Sequence, residues 1–324
     1  MKQMVSPYLK RLAGICNYGW YRFAIFKELR RDDDVRTSEE QASPPPLSSP
    51  YPLIICCSDI KTTLIPITCL AVASAPLYSL SRLLPTMFWI WLQLLQFDVS
   101  NQTIDPEEDK RNKSDRPIPA NRISLRNALI LRWTLPIICF AWSASYSKEV
   151  LLASIANCFL TYVYDEMGYA AGHWAGRNIV NALGFASFEI GACLIAGKDV
   201  HSLDNVSLLS VLCSAGIFAT TIQAQDFKDT EGDALVGRHT LPLVHPTLAR
   251  PTLLLALAIW SAGLSLVWGL STEVAIAFNV LGASVGGRFL AKTSMKADQR
   301  SFYLYNIWLS LAHSLPAYFR FIAH

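Results

Sequence analysis

From about residue 58 the chain alternates long apolar runs with short polar loops. Nine runs stand out, at about 63–81, 84–100, 127–145, 149–164, 179–197, 206–224, 251–269, 273–291 and 302–322. Each holds about 16–21 residues, near the roughly 20 that a helix needs to cross a bilayer. The pattern predicts an all-α fold, an integral membrane bundle of nine transmembrane helices occupying residues 58–324 as one domain. A soluble helical protein does not hide nine such runs. Residues 1–57 read as a cytosolic tail. Within it, 9–30 is either a basic amphipathic helix lying on a membrane surface or a poorly ordered segment, and 31–51 (RDDDVRTSEEQASPPPLSSPY) has the charged and Pro/Ser-rich composition of a linker. No apolar core followed by a small-residue cleavage site marks a secretory signal.

Composition agrees: 52% of residues are apolar and 16% charged, against roughly 25% charged in soluble domains. The net charge of +3 is small, and nothing in the spacing suggests zinc fingers or nucleic-acid binding. The eight cysteines mostly sit inside apolar runs and read as small buried hydrophobes. The distribution of charge is more informative. The tail and the loops after runs 2, 4, 6 and 8 hold nearly all Lys and Arg, whereas the opposite side has Arg82, Lys148, Lys198 and Arg320. By the positive-inside rule the tail and the even loops face the cytosol. The sequons at Asn101 and Asn112 fall on that side and read as chance matches.

Two of those cytosolic loops carry acidic stripes. The first reads Asn101-Gln-Thr-Ile-Asp105-Pro-Glu-Glu-Asp109; on a continued helix, 101, 105 and 109 share one face. The second reads Asp226-Phe-Lys-Asp229-Thr-Glu-Gly-Asp233, with 226, 229 and 233 again on one face. Four crossings separate the stripes, so both emerge on the same side. Facing carboxylates suit a hard cation such as magnesium, which takes oxygen ligands and shares them with substrate phosphates. Without metal, five converging aspartates repel one another. Basic residues trail each stripe: Lys113 and Arg116 after the first, Lys228 and Arg238 within and after the second. Acid, metal and base beside an apolar cavity describe a site for an anionic head on a greasy tail. A weak internal echo links the two segments, Asp109 with Arg116 and Pro117, and Asp233 with Arg238 and Pro242.

The Asn-x3-Asp-x3-Asp element followed by Lys113-Ser-Asp-Arg116-Pro-Ile-Pro, together with Asp226-x2-Asp229-x3-Asp233 and Gly237-Arg238, resembles the signature pair of the UbiA superfamily of intramembrane prenyltransferases. The resemblance covers roughly 58–322. It implies magnesium as cofactor, a prenyl diphosphate as substrate, and a central cavity open towards lipid. It implies a metal-binding role for Asn101, Asp105, Asp109, Asp226, Asp229 and Asp233, the five aspartates being catalytic. Diphosphate contacts fall to Lys61, Lys113, Arg116 and Arg238. The stretches Ser58–Pro66, Leu95–Gln102 and Asn178–Phe185 are similar to a fungal branch that includes membrane-bound terpene cyclases of the fumagillin and erinacine type.

The loop after run 4, Tyr164-Asp-Glu-Met-Gly-Tyr-Ala-Ala-Gly-His173-Trp-Ala-Gly-Arg177, lacks the Tyr-x3-Lys element of the quinone-pathway members. The expected activity is therefore a magnesium-dependent terpene cyclase that ionises a C15 or C20 diphosphate (farnesyl or geranylgeranyl) and cyclises the cation, the alternative being prenyl transfer to an aromatic or other acceptor. Glu189, inside an apolar run, is either a functional carboxylate or a helix–helix hydrogen bond. With Asp165 it is a candidate for taking the final proton. His173 reads as an ordinary loop histidine. Intramembrane carboxylates also build ion-coupled transporters, but those sites lie near the midplane on broken helices. Here the acids sit at run ends, which favours an enzyme. The many apolar helices point to an endomembrane such as the endoplasmic reticulum, with the active site facing the cytosol.

Overall fold

The apolar runs fold as helices that begin at small polar caps and stop where the chain turns polar. The computed structural model describes residues 59–104, 106, 109 and 116–322, all within the unit Pro50–His324. The tail, with its expected surface helix and linker, lies outside the described residues. Helix α1 (Ile60–Ser74) opens with a π-helical turn over Ile60–Leu64. Then come α2 (Leu83–Ile104), α3 (Leu125–Ala144), α4 (Lys148–Asp165) and α5 (Trp174–Ala196). Helix α6 (Asn205–Thr221) tightens into a 3-10 segment, Ile222–Lys228. Two short helices, Thr230–Leu235 and Leu241–Val244, lead into α7 (Pro246–Val267), α8 (Thr272–Ala291) and α9 (Met295–Phe321). Ser124, Ser147, Asp204 and Ser294 each accept a first-turn backbone N–H and so start α3, α4, α6 and α9. No strand occurs among the described residues.

Five of these elements are long and apolar enough to cross a membrane: α3, α5, α6 with its 3-10 extension, α7 and α8. The others, α1, α2, α4 and α9, fall short in length or composition. Helix α1 is apolar but short, whereas α2, α4 and α9 carry polar side chains into the interior, such as Gln93, Gln96 and Asp98 on α2 or Asn157 and Thr161 on α4. Helices α3, α7 and α8 bury a narrow stripe and leave Ile130, Ile137, Leu255, Ile259, Ile276 and Val280 exposed, as an outer face against lipid requires.

The buried residues form two cores. One joins α1, α2, α3 and α5 around Trp89, Ile90 and Ile195; the other joins α6 to α9 around Leu253, Phe289 and Trp308. Phe185 of α5 packs against both. Trp89 is fully buried and donates to Ser143 Oγ at 2.8 Å. Its ring lies so close to α5 that a Cβ on Gly191 would stand 2.2 Å from it. Gly191→Ala is expected to lower stability by about 1–3 kcal/mol, the cost of overpacking a filled core. A melting curve in detergent reads this directly, and an unshifted midpoint would show that the helices separate freely there.

A polar node crosses the second core. His313 Nδ1 lies 3.0 Å from Pro66 O, Ser214 Oγ lies 3.0 Å from His313 Nε2, and Ser214 Oγ lies 2.5 Å from Glu189 Oε1. It links α1, α5, α6 and α9. Glu189 is not among the residues that line the cavity described next, and it accepts the helix–helix hydrogen bond from Ser214.

Candidate active site

A cavity of about 820 Å³ opens between the two cores, bounded by α1, α2, α4, α5, the α6 extension and α9. Its lining changes character with depth. Asp109, Asp226, Asp229, Asp233, Asn101, Arg116, Arg177, Lys228, Arg238 and Lys61 gather along its charged part, and Phe185, Phe188, Phe218 and Leu309 line its apolar part. The two acidic segments, more than a hundred residues apart, thus share one space. Asp105 and Lys113 lie outside the described residues.

The first segment continues α2 as far as Ile104, four residues beyond the run visible in the sequence, so Asn101 occupies the last turn. Its amide donates to Asp165 Oδ1 at 3.2 Å, and Ser100 donates to Asp165 Oδ2 at 2.7 Å. Arg116 grips Asp109 with one nitrogen at 2.9 and 3.0 Å from the two carboxylate oxygens.

The second segment departs from the single α-helical stripe that its spacing suggests. Asp226 lies in the 3-10 segment, Asp229 ends it, and Asp233 belongs to the short helix Thr230–Leu235. A 3-10 turn repeats every three residues, so 226 and 229 still share a face. The backbone N–H of Asp233 donates to Asp229 O at 2.9 Å and carries the third acid onward. The short helix stops at Gly237, whose φ of +71° suits glycine. That reversal lets the Arg238 N–H donate to Asp233 O at 2.9 Å while its guanidinium reaches Asp233 Oδ1 at 3.1 Å. The echo in the sequence is therefore spatial: the last aspartate of each segment pairs with the arginine that trails it.

Arg177 is a site residue that the loop reading missed. It lies in the first turn of α5, is almost fully buried, and donates to Asp226 Oδ2 at 2.7 Å. Asp98, one turn before Asn101 and buried in α2, also lines the cavity. A second signal was in the sequence, since 98 and 101 are three apart. Lys61 lies at the cavity edge, 5.2 Å from the Tyr303 ring centre, on the π-helical turn of α1. Lys228 pairs with Asp229. His173 is the cap of α5, its Nδ1 accepting from the Ala175 N–H at 3.2 Å.

Among the described residues no three Asp, Glu, His or Cys side chains crowd together as a metal cage. Magnesium does not demand one; it is commonly held by one or two carboxylates and completed by substrate phosphate. The donor set suits it. Asp233 Oδ2 is buried without a hydrogen-bond partner, an acceptor left open on the cavity wall.

The profile of the UbiA prenyltransferase family matches residues 63–310. The fumagillin beta-trans-bergamotene synthase af520 of Aspergillus fumigatus is 32% identical over 264 residues, covering 81% of this chain and 89% of that protein. The diterpene cyclase eriG of Hericium erinaceus is 29% identical over 270 residues, 78% and 84% of the two chains. Among solved structures, a UbiA homolog from Archaeoglobus fulgidus bound to GPP and Mg2+ superposes with a TM-score of 0.63 at 16% identity, covering 83% of this chain and 99% of that one.

Proposed function

We propose that this chain, which belongs to the UbiA prenyltransferase family, ionises a C15 or C20 prenyl diphosphate and closes the allylic cation into a cyclic hydrocarbon. It is an integral membrane enzyme of that family. The observation that carries the proposal is the graded cavity, charged along one part and aromatic along another. The identity to terpene cyclases over most of the chain supports it.

Asn101, Asp105, Asp109, Asp226, Asp229 and Asp233 would hold magnesium, which when bound neutralises charge on the departing diphosphate. The chain's own groups do the rest. Lys61, Lys113, Arg116 and Arg238, joined by Arg177 and Lys228, meet the diphosphate oxygens, with the arginine forks suited to paired contacts. Phe185, Phe188 and Phe218 exclude water and offer ring faces to cationic carbon. Asp165 stands on the cavity wall where a departing proton can be taken.

We read α1, α2, α4 and α9 as crossings too, giving nine, with the motif loops on the cytosolic face of an endomembrane such as the endoplasmic reticulum. The basic loops support that orientation. One observation favours transfer to an acceptor instead: Asn181 Nδ2, on the cavity wall one turn beyond Arg177, is buried without a partner and is free to bind an acceptor oxygen.

Incubating the protein in membranes with C10, C15 and C20 diphosphates and magnesium, without acceptor, separates the two. A cyclic hydrocarbon from C15 or C20 is the expected product. No hydrocarbon from any of them, with a prenylated product once an acceptor is supplied, would establish the transferase.

A further inference from the structure

The second acidic segment stands on a fragile element. A 3-10 turn has poorer hydrogen-bond geometry than an α-helix, and Thr221 at the start of Ile222–Lys228 makes no side-chain cap. Its shape therefore depends on what its outward side packs against. One such contact, beside those of Ile222 and Ala224, is Phe227, which is buried and sits between Asp226 and Lys228 but does not line the cavity.

Over the Phe227 ring, 4.5 Å from its centre, lies the guanidinium of Arg250 in the second turn of α7. The same guanidinium donates to Asp298 Oδ1 at 2.9 Å and Oδ2 at 2.8 Å, and to Phe289 O at 2.5 Å. Asp298 is buried in the first turn of α9, where a carboxylate also complements the helix dipole. Phe289, in the last turn of α8, places its ring 5.4 Å from that of Phe227. One guanidinium thus ties the start of α7, the end of α8, the start of α9 and the 3-10 turn. Its charge is paired with a buried carboxylate, and neither it nor Asp298 lines the cavity.

We infer that Arg250 and Asp298 are positioning residues: through Phe227 they fix the 3-10 turn so that Asp226 and Asp229 face the cavity together. The first segment has a counterpart. Arg132, from the helix that follows that segment, pairs with Glu166 and donates to Thr103 Oγ1 at 3.1 Å, two residues before Asp105. In each half, the helix after the acidic segment returns an arginine to the element that displays it. Only an arginine supplies both the fork for the carboxylate and the flat face for the ring; lysine keeps the charge but loses the paired hydrogen bonds and the planar stacking.

The inference rests on the metal-and-diphosphate reading for its consequence, but not for its geometry, so two readouts are needed. The full chain in nanodiscs is compared as wild type, Arg250→Lys and Phe227→Leu. In both variants, amide exchange over 222–229 is expected to quicken about tenfold or more while α5 and the centres of α7 to α9 keep their protection. The magnesium concentration for half-maximal turnover should rise about five- to tenfold, with a smaller fall in kcat. Unchanged exchange over 222–229 in both folded variants overturns the inference, as does protection lost evenly across α7 to α9, which is the mark of a purely structural pair. A wild type without metal-dependent turnover would overturn the functional reading alone, and the exchange measurement would still decide the clamp.

Discussion

Asp229→Ala should abolish turnover while leaving the fold intact. The Asp229 carboxylate caps no helix, and among the described residues it pairs with the neighbouring Lys228, both side chains being partly exposed. Pairs of that kind contribute no more than about 1 kcal/mol to stability, so the melting point should barely move. Its loss removes an acid from the charged part of the cavity, from the set proposed to hold the metal. Removing one preorganised group of this kind slows a reaction by up to about a thousandfold, roughly 4 kcal/mol of barrier. Chelation of divalent metal should silence the wild type equally, with magnesium restoring it. Product formation measured on folded Asp229→Ala decides the matter: near-normal turnover would remove the second acidic segment from the site.

Arg177→Met should behave differently, because it strikes fold and site together. The guanidinium is almost fully buried, and the Asp226 side chain it answers is 3% exposed. Taking away one partner strands the other charge in a dry interior, which costs about 3–5 kcal/mol. The double variant Arg177→Met with Asp226→Asn should recover most of that stability, since no charge is left unanswered, but should recover no turnover. Melting curves of the single and double variants give the coupling. An additive pair of effects would show that the two residues do not depend on each other.

The two variants also show what was legible in the sequence and what was not. The spacing of the aspartates drew attention to the two segments, and the structure brings Asp109, Asp226, Asp229 and Asp233 to one cavity, although the second segment is not one continuous α-helix. Arg177 gave no such signal. It read as one more cation in a basic loop, since its partner lies 49 residues away and only the fold joins them. Helix ends were misjudged for a related reason. Helix α5 begins at Trp174 and α9 at Met295, several residues before their apolar runs, because polar first turns carry no hydropathy signal. The 3-10 turn was invisible as well, since i and i+3 positions coincide on both kinds of helix. Helices α2, α4 and α9, whose hydropathy falls short of a membrane span, and the short apolar α1 all line the cavity. Helices α5 and α6 line it too and keep the signal, so the loss in α2, α4 and α9 follows from the polar side chains that those helices carry into the interior.

The node of Glu189, Ser214 and His313 permits a count of hydrogens. Each of its three links needs one: Nδ1 to the Pro66 carbonyl, Nε2 to the serine oxygen, and the serine oxygen to the carboxyl. A neutral imidazole brings one and the hydroxyl another. The third must be an extra proton held jointly by the acid and the imidazole. Whether it rests on Glu189 or on His313, the sum of charge over the node is zero. Four helices are therefore joined deep in the bundle by strong polar links that impose no net charge on the apolar medium around them.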